Sequence, residues 1–271
     1  MAAISAKLVM ELRDSTNLPM MKCKEALEKS GGDKTAAIEF LRKQGHAAKD
    51  KFAGRETPNG LISMAVKDGA GVLVLLGCQT DFVANSDEFK AAAAKIAQVA
   101  LDTGVETADA LKTKTLDGVT IDDVVTELIN KIRENIVLVQ VSRLTGANVV
   151  GYNHGGRIAT LVAGTNNADN KLKQVALHVA SVTPVPVSLS RDQVDPAIVA
   201  KEREILSGMA DVLAKPEAMR PKIVEGKLGR FYKENVLLEQ EMLLDAEKGE
   251  SVEKYAQRVG ITLTSFVRIT V

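Results

Sequence analysis

The residues with the greatest chemical capacity in this sequence cluster in one link. Cys78, Asp81 and Phe82 fall within Gly77-Cys78-Gln79-Thr80-Asp81-Phe82-Val83-Ala84, with Asp87 and Glu88 close behind. A cysteine that follows a buried strand could act as a nucleophile if a histidine served as its base, and His154 is the candidate. The neighbouring carboxylates oppose that chemistry, because they raise a thiol pKa. They oppose phosphate binding as well. Asp81, Asp87 and Glu88 complement the dipole at a helix start but repel an anion there. Gly69 and Gly71 precede the strand and position 74 is Val74, so no dinucleotide fingerprint forms. Gly31-Gly32-Asp33-Lys34-Thr35 lacks the phosphate-loop spacing. His46 and His178 have no ligand spacing to His154, which excludes a metal site built on it. No cofactor or metal is expected.

Phe82 needs a reason for its place, because the chain has six Phe, three Tyr and no Trp in 271 residues. Asn85 reads as the N-cap of the helix that follows, with Glu88 completing a variant capping box. The staple pair is then Ala84 with Phe89, and Phe82 is not needed to fix the start of the helix. Two readings stand. Phe82 and Val83 fold under the link as core, or Phe82 is an aromatic anchor presented to a partner.

The elements around the link follow from periodicity. Val72-Leu73-Val74-Leu75-Leu76 is a continuous apolar run that suits a strand buried on both faces. Phe89, Ala92, Ala93, Ile96, Ala97 and Ala100 form one helical stripe. Leu61 to Val66 supplies the partner strand of a hairpin turned at Lys67-Asp68-Gly69-Ala70-Gly71. The pattern repeats. Val149 to Tyr152, a turn at Asn153-His154-Gly155-Gly156, and Arg157 to Val162 form a second hairpin, followed by a helix with Leu172, Val175, Ala176 and Val179. Neither hairpin is stable alone, so each helix packs on its hairpin. Ile136 to Val141 and Ile261 to Val271 are natural third strands. Thr107 and Thr120 cap helices between the repeats, the second with the stripe Val124, Leu128 and Ile132.

Residues 1–45 read as three short helices. Ile4, Leu8 and Leu12 line the first. Pro19 opens the second, which carries Cys23, Ala26 and Leu27 and stops at Gly31-Gly32. Asp33 caps the third, with Ala37, Ile38 and Leu41 inward. Of Met20 and Met21, one is expected in the core and the other is a candidate contact. Residues 46–59 look like a linker with His46 solvated. Residues 190–233 form a helical hairpin arm: Asp195-Pro196 caps its first helix, and Ile198, Ile205, Met209 and Val212 make a seam. Lys215-Pro216 turns the chain, and Pro221 starts a return with Val224, Leu228 and Phe231. The fold class is α+β: a three-helix bundle (1–45), a linker (46–59) and two related antiparallel-sheet-plus-helix subdomains (60–145 and 146–271), the second carrying the arm.

Composition narrows the function classes. Lys plus Arg and Asp plus Glu both number 35. With no basic field and few aromatics, an RNA-binding module is disfavoured. Cys23 and Cys78 form no CxxC, which fits a reducing compartment. No apolar run approaches the ~18 residues of a membrane span. Glu11 and Asp14 argue against a secretory signal. A cytoplasmic location is expected.

Several motifs together resemble one family. Thr80-Asp81-Phe82-Val83-Ala84 after Cys78-Gln79 resembles the signature of elongation factor Ts. Leu12-Arg13 followed by Met20-Met21-Lys22-Cys23-Lys24-Glu25-Ala26-Leu27 resembles its N-terminal signature. Gly151-Tyr152-Asn153-His154-Gly155-Gly156-Arg157-Ile158 resembles its second core motif, and Val224-Glu225-Gly226-Lys227 its arm. The resemblance implies a guanine-nucleotide exchange factor for the GTPase elongation factor Tu, not an enzyme. It implies that Thr80, Asp81, Phe82 and Val83 disturb the Mg²⁺ of that partner. It also implies that the N-terminal unit resembles a ubiquitin-associated domain and docks through Arg13, Met20 and Met21. For His154 it favours a partner contact over a turn residue that merely tolerates an unusual backbone angle.

Overall fold

The computed structural model describes residues 4–16, 18–166 and 170–271; the expectation for the side chain of His46 lies outside the described residues. The N-terminal helices are α1 (Ala6–Thr16), α2 (Met20–Lys29) and α3 (Lys34–Phe52). Leu12, Cys23, Ala26, Leu27, Ala37 and Leu41 form their small core, with Val9 added to it. Pro19 stands at the N-cap of α2 rather than inside it. Asp33 caps α3 by accepting from the Thr35 and Ala36 amides. Past residue 45, where a linker was expected, α3 runs on to Phe52. No proline or glycine interrupts residues 46–52, and buried Phe52 is drawn into the main core. Lys49 pairs with Asp122 at 2.5 Å.

Strands β1 (Asn59–Lys67) and β2 (Ala70–Cys78) form the first hairpin, turned at Asp68 and Gly69, both at positive φ. The link carries a short helix, α4 (Asp81–Asn85), and then α5 (Asp87–Thr103). Next come α6 (Ala108–Lys112), a two-residue pair β3 (Thr115–Leu116) and β4 (Val119–Thr120), and α7 (Ile121–Ile132). Thr107 and Thr120 cap α6 and α7 as expected. On α7 the buried side is Ile121, Val125, Leu128 and Ile129, and Val124 and Ile132 sit at its margin. Strand β5 (Ile136–Thr145) joins β2, giving the order β1-β2-β5.

The second sheet repeats the plan. Strands β6 (Asn148–His154) and β7 (Ile158–Gly164) form its hairpin, and α8 (Lys171–Ser181) packs on it. The arm follows as α9 (Pro196–Gly208), α10 (Ala210–Leu213) and α11 (Arg220–Asn235). A helix the periodicity did not reveal, α12 (Val252–Arg258), precedes β8 (Leu263–Thr270), which completes the order β6-β7-β8. The arm core is Leu206, Val212, Val224 and Leu228, with Val199 and Phe231 against it. Ile198, Ile205 and Met209 are exposed, so the seam lies one residue further along α9 than the spacing suggested. A step of seven fits Val199 and Leu206 as well as Ile198 and Ile205, and only packing decides.

The layers run helix, sheet, sheet, helix. On one face of β2, Val72, Val74 and Leu76 meet α5 and α7. On the other, Leu73 and Leu75 meet Val149, Leu161 and Ile269 of the second sheet. This explains the uninterrupted apolar run in β2. The sheets come close because Gly151 has no side chain: a Cβ there would lie 2.2 Å from the Met64 sulfur.

Candidate functional site

The link from Cys78 to Ser86 is shaped by caps that differ from the expected one. Thr80 Oγ1 accepts from the Val83 amide and caps α4. Ser86 Oγ accepts from the Phe89 amide and caps α5. Asn85 is therefore the last residue of α4, not a cap, and Glu88 completes no box. Instead Glu88 pairs with Lys131 of α7. A hydroxyl one position further on serves α5, and the turn gained by α4 uses the residues a loop would have occupied.

Residues outside the motif brace this link. The Glu134 carboxylate accepts from the Gln79 amide at 3.1 Å, the Thr80 amide at 3.0 Å and the Thr80 hydroxyl at 2.7 Å. Gln79 Oε1 accepts from the Asn135 amide at 2.9 Å. Asn59 donates to the Gln79 carbonyl, and Asn135 donates to that of Arg55. Glu134 and Asn135 lie in the turn between α7 and β5, where Arg133 takes a left-handed conformation. Sequence reasoning missed all three braces. The one available signal was the polar pair Glu134-Asn135 between two strongly apolar elements.

On this frame Phe82 is 84% exposed. The reading of Phe82 as core is overturned for a physical reason. Ala84 and Phe89 already fill the space under the link, and Val83 packs at the core's edge. Asp81 is also exposed and makes no ion pair among the described residues. Thr80 and Val83 thus anchor the link while Asp81 and Phe82 face outward.

The surroundings of Cys78 oppose a thiolate nucleophile. Burial, and then the Glu134 charge, push its thiol up to about 11. Its Sγ donates to the Thr80 carbonyl at 3.2 Å. His154 lies in another hairpin, where its Nδ1 and the Tyr152 hydroxyl share a hydrogen bond at 2.9 Å. It ends β6 at ordinary φ. Gly155 and Gly156 take the positive angles instead, so the turn-residue reading of His154 is also overturned. That hairpin is tied to the first sheet: Ile62 donates to the Gly156 carbonyl at 2.7 Å, and Asn153 donates to that of Ile62.

Arg13, Met20 and Met21 are all exposed, Met21 at 74% and Met20 at 48%. The expectation that one methionine is core is corrected. With Pro19 at the cap, Leu18 and Cys23 supply the core on either side. Met10, three residues before Arg13 on α1, is exposed as well and was missed. Lys22, next to Met21, feels the Arg133 charge, which adds to burial in lowering its pKa. The start of α2 therefore lies toward the turn that carries Glu134. Among the described residues no group of His, Cys, Asp and Glu could hold a metal ion, and no helix is long and apolar enough to cross a membrane.

The site is a presenting surface, with an aromatic and a carboxylate held out on a braced link. The family model described as "Elongation factor TS" matches residues 79–271 and so begins at the link. Elongation factor Ts of Dinoroseobacter shibae is 40% identical over 276 residues, covering 99% of this chain and 92% of that protein. Elongation factor Ts of Chlorobium phaeobacteroides is 38% identical, covering 99% and 98%. That of Psychrobacter cryohalolentis is 37% identical, covering 99% and 90%. The chain is accordingly a translation elongation factor. Within that class it belongs to the elongation factor Ts family.

Proposed function

We propose that the protein binds the GTPase elongation factor Tu in its GDP form and promotes GDP release without catalysing a chemical reaction. The observation that carries this reading is Phe82, exposed on a link that is hydrogen-bonded to Glu134. A GTPase grips its nucleotide through phosphate-binding backbone and a bridging Mg²⁺. Mg²⁺ demands near-ideal octahedral geometry, so a small displacement of its surroundings weakens it. Phe82 is the wedge and Asp81 its polar companion; Thr80 and Val83 fix both. Residues 1–45 act as a docking unit through Arg13, Met20 and Met21, joined through 46–59 to subdomains 60–145 and 146–271. His154, at the exposed end of the second hairpin, makes a separate contact. The partner is a protein, with no direct nucleic acid or membrane contact, and the work takes place in the cytoplasm. Linkage makes the effect reciprocal: nucleotide weakens binding of this protein as much as this protein weakens nucleotide.

The test is release of fluorescent GDP from elongation factor Tu. Phe82→Ala is expected to slow release far more than it weakens binding, and to leave thermal unfolding unchanged. A native release rate for Phe82→Ala would overturn the wedge. A loss of the order of 3–5 kcal/mol in stability would mean a buried ring instead.

A further inference from the structure

The outer edge of β8 holds a feature that nucleotide exchange does not use. Among the described residues, the order β6-β7-β8 leaves β8 unpaired on one side. The Val271 amide donates to the Arg157 carbonyl at 2.9 Å, in register with the β7–β8 ladder. Hydrogen bonding alternates along an antiparallel ladder. Ser265, Val267 and Ile269 therefore turn their backbone groups to β7, while Phe266, Arg268 and Thr270 turn theirs outward. Segment 185–189 faces this edge across a cleft of about 450 Å³. That segment is tied on its far side: Val187 donates to Asn235, and Ser188 and Leu189 accept from Leu237 and Leu238. Among the described residues no backbone hydrogen bond crosses the cleft.

One cation lies in the cleft without a counterpart. Arg268 forms no hydrogen bond or ion pair among the described residues, and its Nε is sealed from water. A buried donor left unpaired is costly. The lining, which includes Val185, Val187, Gln193 and Phe266, contains no carboxylate. Val185 and Val187 are exposed and offer an apolar wall. The guanidinium fork matches a carboxylate in shape as well as charge.

We propose that this cleft receives an extended segment of a partner protein, which adds as a strand to β8 and places an acidic side chain on Arg268. Backbone bonds to Phe266 and Arg268 give the affinity, and the guanidinium gives the preference for an acid. The alternative is a charge kept on the edge only to prevent sheet extension.

The probes are two capped hexapeptides, Val-Thr-Glu-Val-Thr-Val and its glutamine twin, titrated into the ¹⁵N-labelled full chain. The glutamate peptide is expected to shift the Phe266 and Arg268 amide signals and slow their hydrogen exchange, with the twin about tenfold weaker. Arg268→Gln should remove that difference while the chain stays folded. If Arg268→Gln does not fold, the comparison of the twins on the native chain still decides. Equal binding of the twins, shifts confined to other surfaces, or no shift at millimolar peptide would overturn the proposal. Self-association of the chain through β8 would give the cleft to a second copy and also overturn it.

Discussion

Replacing Glu134 tests whether rigidity of the link, and not only exposure of Phe82, drives exchange. Glu134→Ala removes the acceptor of three hydrogen bonds, two of them to backbone amides of the link. A hydrogen bond to a charged group contributes about 1.5–3 kcal/mol. Gln79 and Thr80 are only half-buried, so water replaces part of this, and a net local loss of about 2–3 kcal/mol follows from the low end of that range. The partner must then reorder the link on binding. If the whole cost falls on the exchange step, the rate drops by roughly 30- to 150-fold, at tenfold per ~1.4 kcal/mol. Glu134→Gln keeps one oxygen acceptor and should fall between the native protein and Glu134→Ala. Fluorescent GDP release gives the rate, and hydrogen exchange at the Thr80 amide reports the loosened link. Native release by a folded Glu134→Ala protein whose Thr80 amide exchanges fast would refute the argument.

Two further expectations rest on other parts of the chain. Deleting residues 1–50 should weaken binding to elongation factor Tu, and calorimetry should also record a lower unfolding temperature, because the deletion strips α3 from α7 and breaks the Lys49–Asp122 pair. His178 is buried, accepts from the Leu243 amide, and faces Gln240 at 3.2 Å. Burial holds its pKa below the ordinary histidine value. Its stabilising contribution is therefore complete above the unfolded value near 6.5 and is lost as pH falls below it, at up to about 1.4 kcal/mol per pH unit. Denaturant titrations of native protein and His178→Gln between pH 7 and 5 should show this slope only in the native protein.

Periodicity revealed most of the fold. The run at 72–76 announced a strand with two covered faces, and both faces are covered. The twofold hairpin-and-helix pattern gave each sheet its third strand, β5 and β8, and the structure sets them beside β2 and β7. What stayed hidden was decided by contacts between distant segments. A spacing of seven cannot choose between Ile198–Ile205 and Val199–Leu206. Nothing local marks α3 as continuing to Phe52, since the core that receives it is built from β2 and α5. The site divides the same way. Thr80 to Val83 were legible as a motif. Glu134, 54 residues away from Thr80, becomes part of the link only when α7 and β5 close beside β2.

The doubly covered strand also has a consequence for synthesis. Two copies of one plan could in principle fold one after the other as the chain emerges. Here Leu73 and Leu75 stay bare until Val149, Leu161 and Ile269 arrive, and Ile269 belongs to β8. The first copy is therefore made with an apolar face that it cannot hide by itself. It must wait through the translation of the whole arm before its cover is complete. A protein that serves the elongation machinery thus leaves its own greasy seam open until nearly the last residues of that seam have been elongated.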